Sequence, residues 1–289
     1  MTHAGKDITS RGGFAPPWLV ALLLLTAACG GGDGQTPLDP DVPPVTEGDW
    51  YRPALAVTWQ WQLSGPLDTS YDVEIYDVDL FDSDAATIAG LQAEGRRVIC
   101  YFSGGSYEEW RPDAADLDEA ARGDSLDDWE GERWLDIRDP SVHAVMLARL
   151  DLAVTKGCDG VEPDNMDGYD NDSGFDMGPI DQLAFNRFVA NGAHERGMTV
   201  ALKNDGAQVD DLVEYFDLSL NEQCHEYDEC GDLAPFTAAG KPILNAEYPG
   251  SLAQAEARRA AICDAAAAAK TRTLLLPLLL DDSFRIACD

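Results

Sequence analysis

From residue 50 onward, short apolar runs alternate with longer stretches in which apolar residues recur at helical spacing. Eight runs have strand length, at 54–61, 73–78, 97–102, 160–162, 199–202, 218–220, 242–245 and 272–276. Helical patterns lie between most of them, at 85–94, 141–156, 181–196, 208–215, 230–238 and 252–269. Gly95, Gly157, Gly197 and Gly240 stand where a helical stretch gives way to the next strand, a position that favours the left-handed backbone of a helix end. Strand, loop, helix and glycine in repetition describe βα units and a parallel sheet. Eight units in about 240 residues predict a single α/β domain over 50–289, a (β/α)8 TIM barrel. An open doubly wound sheet is the alternative. No GxGxxG follows the first strand, which counts against its dinucleotide-binding form.

The first residues change the picture of where the domain works. Lys6 and Arg11 precede an apolar run at 18–28 that ends in Ala27-Ala28-Cys29, the layout of an export signal. Eleven helical residues reach only about 16 Å, too short for a bilayer core of about 30 Å. Leu25-Thr26-Ala27-Ala28-Cys29 resembles a bacterial lipobox, with Thr26 where Leu is commoner. It implies a signal peptide over 1–28, lipidation of Cys29 and attachment to a membrane through that anchor alone. Gly30 after the cysteine points to the outer membrane or cell surface. Simple cleavage and secretion is the alternative. Residues 29–49, rich in Gly, Pro and Asp, read as a flexible tether.

Seven cysteines less Cys29 leave an even number, as expected of disulfides in an oxidising compartment. Cys224 and Cys230, six positions apart with polar residues between, suit a local bridge. Cys263 and Cys288 would tie the last helix to the C-terminus. Cys100 and Cys158 remain as a further pair or as buried thiols, and spacing alone does not fix the connectivity. With four His and no CxxC or HExxH, zinc has no ligand set. The oxygen-rich run 164–176 fails EF-hand spacing, because Gly174 and Phe175 fall where a ligand and the turn glycine belong. No metal and no cofactor are expected.

The chain carries 53 acidic against 20 basic residues, a net charge of −33. That surface repels phosphate backbones, so no nucleic-acid partner is expected. It would attract a cationic substrate, or simply keep an exported protein soluble. In a barrel the site lies where strands end. There the sequence places Asp79, then Tyr101, Tyr107 and Glu108, then Glu162, Asp164 and Asn165. Lys203, then Asn221 and Glu222, then Glu247 and Tyr248 follow the later strands. Converging carboxylates among aromatic rings suit glycosidic cleavage, in which one carboxyl protonates the leaving oxygen and another attacks or activates water. Acids after strands also cap helices, a reading that fits Asp79, Asp205 and Asp281 but not Glu222, since Glu is a poor N-cap. Ser103-Gly104-Gly105-Ser106 is not GxSxG, and His225 is the one histidine near a strand end, so a serine or cysteine nucleophile lacks a base.

Several segments in order resemble glycoside hydrolase family 114, the endo-α-1,4-polygalactosaminidases. They are Val98-Ile99-Cys100-Tyr101-Phe102-Ser103-Gly104-Gly105-Ser106-Tyr107-Glu108, Gly131-Glu132-Arg133-Trp134-Leu135-Asp136, Gly157-Cys158-Asp159-Gly160-Val161-Glu162-Pro163-Asp164-Asn165, Leu202-Lys203-Asn204 and Asn221-Glu222-Gln223-Cys224. The resemblance implies a barrel that hydrolyses α-1,4-linked galactosamine polymer, with Asp164 as nucleophile and Glu222 as general acid/base. It implies sugar subsites lined by Asp79, Tyr101, Tyr107, Glu108, Glu162, Asn165, Lys203, Asn221, Glu247 and Tyr248. A monomer is expected. The alternatives are a surface carbohydrate-binding protein without catalysis and a metal-dependent polysaccharide hydrolase or esterase.

Overall fold

The computed structural model describes residues 37–288. The expected signal peptide, 1–28, and Cys29 lie outside them. In chain order the elements are β1 (Trp59–Gln62), β2 (Ile75–Asp79), α1 (Ala85–Ala93), β3 (Arg97–Ser103), β4 (Ser106–Glu108), β5 (Arg122–Ser125), β6 (Glu132–Leu135) and α2 (Pro140–Lys156). Then come β7 (Gly160–Asp164), α3 (Pro179–His194), β8 (Thr199–Lys203), α4 (Val209–Leu212), β9 (Leu218–Glu222), α5 (Ala234–Ala238), β10 (Ile243–Glu247), α6 (Leu252–Ala269), β11 (Thr271–Leu275) and β12 (Ile286–Ala287).

All eight expected strands form, and they lie side by side in chain order as β1-β2-β3-β7-β8-β9-β10-β11, every neighbouring pair parallel. Successive side chains alternate between two cores, as strand geometry requires. Tyr76 and Val78 of β2 pack outward with the helices, while Ile75 packs inward. The inward cluster joins Trp59 and Trp61 of β1 to Leu274 of β11, so the sheet curls until its two ends meet across one core.

The expected closed ladder is corrected at the seam. No backbone pairing joins β11 to β1 among the described residues, because β12 pairs antiparallel with β11 and takes its free edge. Side chains cross instead. Trp59 Nε1 donates to the Arg272 carbonyl at 2.8 Å, Arg272 Nε to the Val57 carbonyl at 2.8 Å, and Arg285 to the Trp59 carbonyl at 2.8 Å.

Helix ends follow local chemistry. Asp84 and Asp139 accept from Thr87 N and Ser141 N to cap α1 and α2, and Pro140 opens α2. Gly157 then ends α2 at φ 88°, a left-handed backbone that a Cβ would disfavour. The helical patterns at 208–215 and 230–238 shrink to the short α4 and α5. The β3–α2 connection holds an unexpected antiparallel sheet, β4-β6-β5. The described part of the expected tether, residues 37–49, docks instead of hanging free. Asn191 of α3 accepts from Val45 N and donates to the Pro43 carbonyl, and Trp50 stacks on His194 at 4.3 Å. Three disulfides form, Cys100–Cys158, Cys224–Cys230 and Cys263–Cys288, so the pair left open by spacing is bridged.

Candidate active site

β7, β8 and β9 are neighbours, and their last residues are Asp164, Lys203 and Glu222. Shared parity and adjacent strands bring the three side chains together. Lys203 Nζ is 2.9 Å from Asp164 Oδ1, 3.2 Å from Glu222 Oε2 and 3.2 Å from Glu162 Oε1. It sits 4.8 Å from the centre of the Trp61 ring, and its side chain is 1% exposed. Burial pulls the ammonium toward its neutral form. Asp164, Glu222 and Glu162 more than offset this and hold its pKa well above the usual value.

Each carboxylate of the pair has a second support. Tyr101 donates to Asp164 Oδ2 at 2.9 Å, and the backbone N–H of Asn165 donates to Oδ1 at 2.7 Å. Tyr248 donates to Glu222 Oε1, and the backbone N–H of Glu222 donates to Asn204 Oδ1 at 3.1 Å. Burial, then the charges of Asp164 and Glu222 respectively, push both tyrosines well above their usual pKa, so both hydroxyls keep their protons. Because one nitrogen touches both, Asp164 Oδ1 and Glu222 Oε2 lie no more than about 6.1 Å apart.

The backbone beyond these strands is strained where it faces the site. Asn165, Asn204, Asp205 and Gln223 all have φ between 49° and 58°. Asn and Asp tolerate this region better than other side chains, and such strain concentrates at functional sites. Gly105 is required here. A Cβ on it would stand 1.8 Å from the Asn165 carbonyl oxygen, in a turn where Gly104 and Gly105 donate backbone bonds to the Asp164 carbonyl.

A cleft of about 760 Å³ opens over the pair. Of the expected residues, Tyr101, Asp164, Asn165, Lys203, Asn221, Glu222 and Tyr248 line it. Five do not. Asp79 and Glu108 are buried and bound to Arg111, whose guanidinium reaches Asp79 Oδ2 at 2.7 Å and Glu108 Oε1 at 2.7 Å. Tyr107 lies under Arg122, 4.4 Å from ring centre to guanidinium. Glu247 is buried, accepting from His225 N and Asn245 Nδ2 at 3.0 Å each. Glu162 is wholly buried, one layer below Asp164 on the same face of β7.

Sequence reasoning assigned no site role to Glu132, Asp167, Asp205, Trp129 and Tyr227, which also line the cleft. Burial raises Glu132 to about 7, Asp167 to about 6 and Asp205 to about 8. The charge of Asp164 adds to the Asp167 shift, and that of Asp167 to the Asp205 shift. Glu132 was signalled by its place in the Gly131–Asp136 segment of the family resemblance. Asp205 looked like a helix cap, but its side chain accepts from Tyr169 and Asn186 instead. Cys224, His225 and Cys230 cluster, but the two sulfurs are bonded to each other, which leaves no thiolate for a metal.

A curled parallel sheet whose strands β7 and β9 bring two carboxylates together under a cleft, with Lys203 of β8 between them, has the arrangement of a glycoside hydrolase. The chain belongs to glycoside-hydrolase family GH114, whose profile matches residues 41–289. The crystal structure of Aspergillus fumigatus Ega3 in complex with galactosamine is 43% identical, with a TM-score of 0.78, over 84% of this chain and 99% of that one. The glycoside hydrolase domain of PelA from Pseudomonas aeruginosa shares the fold at 14% identity and a TM-score of 0.63, over 80% of this chain and 98% of that one. An uncharacterized protein of Deinococcus radiodurans is 28% identical over 280 residues, 80% of this chain and 88% of that one.

Proposed function

We propose that this enzyme is an endo-acting hydrolase of α-1,4-linked, galactosamine-containing exopolysaccharide that works with retention of configuration. Glu222 gives its proton to the glycosidic oxygen as Asp164 attacks the anomeric carbon. Glu222 then takes a proton from water, which displaces Asp164 from the sugar. The observation that carries this reading is the shared contact of both carboxylates with Lys203 at the cleft floor. The resulting limit of about 6.1 Å between Asp164 Oδ1 and Glu222 Oε2 leaves room for the retaining separation of about 5–5.5 Å between the two carboxyl groups. The 43% identity to a protein solved with galactosamine supports the sugar, and the acidic cleft suits its ammonium group. Tyr101, Asn165, Lys203, Asn221 and Tyr248 are the subsite residues of this reading.

The test is incubation with partly deacetylated α-1,4-galactosaminogalactan beside fully acetylated and unrelated glycans, with products read by mass and the new anomer by NMR. Oligosaccharides of the starting anomer are expected, and Asp164→Asn and Glu222→Gln should each abolish their release. Binding without cleavage, loss of activity to a chelator, or near-wild-type turnover of either variant would overturn the assignment. We further propose that the domain closes as a barrel through its side-chain seam, acts as a monomer and is held at the outer membrane or cell surface by lipid on Cys29. Cys29→Ala should release it into the medium.

A further inference from the structure

Asp77 on β2 has no part in the reaction above, yet its carboxyl is placed with care. It points into the curled sheet from the same face as Ile75, and neither Asp77 nor Glu162 is exposed at all. Taken as acceptors, all four oxygens of the two side chains lack a hydrogen bond among the described residues. Buried carboxylates are ordinarily hydrogen-bonded or paired, so this arrangement asks for something more. Lys203 is 3.2 Å from one Glu162 oxygen, but its hydrogen bond goes to Asp164.

Among the described residues the surroundings offer no second cation. β1 carries no charged residue and faces the pair with Trp61, and β3 contributes Tyr101. β7, β8 and β9 contribute Asp164, Lys203 and Glu222. Glu247 of β10 is turned to His225 and Asn245, and Asp79 is held by Arg111. Arg272 of β11 is engaged at the seam with the Val57 carbonyl. Asp77 and Glu162 reach across β3 to within side-chain hydrogen-bond range of each other. Two such buried anions repel, whereas one proton between them supplies the missing hydrogen bond and halves the charge.

We infer that Asp77 is a positioning residue that shares a single proton with Glu162 and so leaves Lys203 directed at Asp164 and Glu222. Burial, with the charge of the partner, raises Asp77 far above the usual carboxylate range, and burial raises Glu162 as well. The inference rests on the proposed reaction for its catalytic consequence but not for the proton itself. When rising pH removes that proton, the dianionic pair competes with Asp164 for Lys203. The alkaline limb of the activity profile therefore belongs to the pair.

Asp77→Asn tests this, because an amide N–H donates to Glu162 and is not lost with pH. On the polymer, the variant should keep the acid limb of kcat/KM and move the alkaline limb up by at least one pH unit. A merely structural residue would lower kcat/KM at every pH and leave the limb in place. The second measurement needs no turnover. The infrared difference between wild type and Asp77→Asn at neutral pH should show a protonated-carboxyl stretch present only in the wild type. Glu162→Gln should remove the same band, and it replaces Asp77→Asn if that variant does not fold. An unmoved alkaline limb, or no such band in the difference spectrum, overturns the inference. A wild type that shows the band but cleaves no glycan overturns the proposed function and leaves the shared proton standing.

Discussion

Lys203→Met is the most informative single change. It keeps the stem packed beside Trp61 and removes one charge. At an effective dielectric of about 20, a contact of full charges near 3 Å is worth about 5–6 kcal/mol, and Lys203 makes two, with Asp164 and Glu222, besides a weaker one with the proton-sharing Glu162. Burying the ammonium costs several kcal/mol in return. Removing one partner from a buried ionic cluster costs a net of about 3–5 kcal/mol, because the remaining charges stay behind uncompensated. That is the expected loss of stability at pH 7. Under the proposed reaction, turnover should fall by about 100-fold or more, since the cation that stabilises charge at the proposed nucleophile is gone.

The pH dependence gives a stricter check. In the wild type the Lys203 pKa is raised on folding. Its stabilisation is therefore complete below the ordinary lysine value and is lost only as pH rises through the higher folded one. In the variant, the cost is repulsion among carboxylates, which acid relieves by protonating them. Urea unfolding followed by tryptophan fluorescence should show the full gap between wild type and variant at pH 7 and a smaller gap at pH 4. A gap below about 1 kcal/mol at pH 7, or one of equal size at both pH values, would refute the claim that Lys203 holds this carboxylate cluster together.

Other consequences are simpler to measure. Tyr248→Phe removes the donor to Glu222, a charged hydrogen bond worth about 1.5–3 kcal/mol, so kcat/KM on the polymer should fall at least about tenfold without loss of fold. Asp205, raised to about 8 by burial and then by Asp167, costs stability that is absent below about pH 4 and complete above about pH 8. Asp205→Asn tolerates the left-handed backbone and can turn its oxygen to Asn186, so it should melt with the wild type at pH 4 and above it at pH 8. Paired Cys100→Ala and Cys158→Ala open a loop with a sequence separation of 58, and the denaturation midpoint should report a loss of about 4 kcal/mol.

The eight strands were legible because a parallel sheet covered on both sides leaves continuous apolar runs, as at Val98-Ile99-Cys100. The β4-β6-β5 insertion was not, because its strands are three or four residues long and mostly polar outside Trp134 and Leu135, and they find their pairing only across a long connection. β12 is two residues long, so nothing in the pattern announced that it would take the edge meant for closure. Glu222 stood out because a glutamate directly after an apolar strand makes a poor cap. Glu162 was misplaced by one layer, since parity puts it on the face of Asp164 but says nothing of depth. Asp79 and Glu108 were misread because an acid at a strand end looks the same whether it faces a cleft or an arginine. Arg111 stands three residues beyond Glu108, but its reach to Asp79 on another strand is a tertiary fact.

Several of the strand-end acids are sorted by the cation they meet, whereas Glu247 is held by neutral donors. Arg111 holds Asp79 through both oxygens, Nη1 to Oδ1 at 3.1 Å and Nη2 to Oδ2 at 2.7 Å. Arg149 likewise grips both oxygens of Asp113, at 2.8 and 2.9 Å. A planar guanidinium that takes both oxygens leaves a carboxylate nothing to do but hold the fold. Lys203 is a point charge and touches one oxygen each of Glu162, Asp164 and Glu222. The other oxygens of Asp164 and Glu222 meet neutral phenols at the cleft wall, Tyr101 and Tyr248, which a reacting sugar or water can compete with. Asp79 and Asp113 therefore differ from the proposed catalytic carboxylates Asp164 and Glu222 in the geometry of the buried cation each one meets. An arginine at position 203 would keep the charge but claim a carboxylate bidentately, so Lys203→Arg should retain more stability than Lys203→Met and still lose turnover.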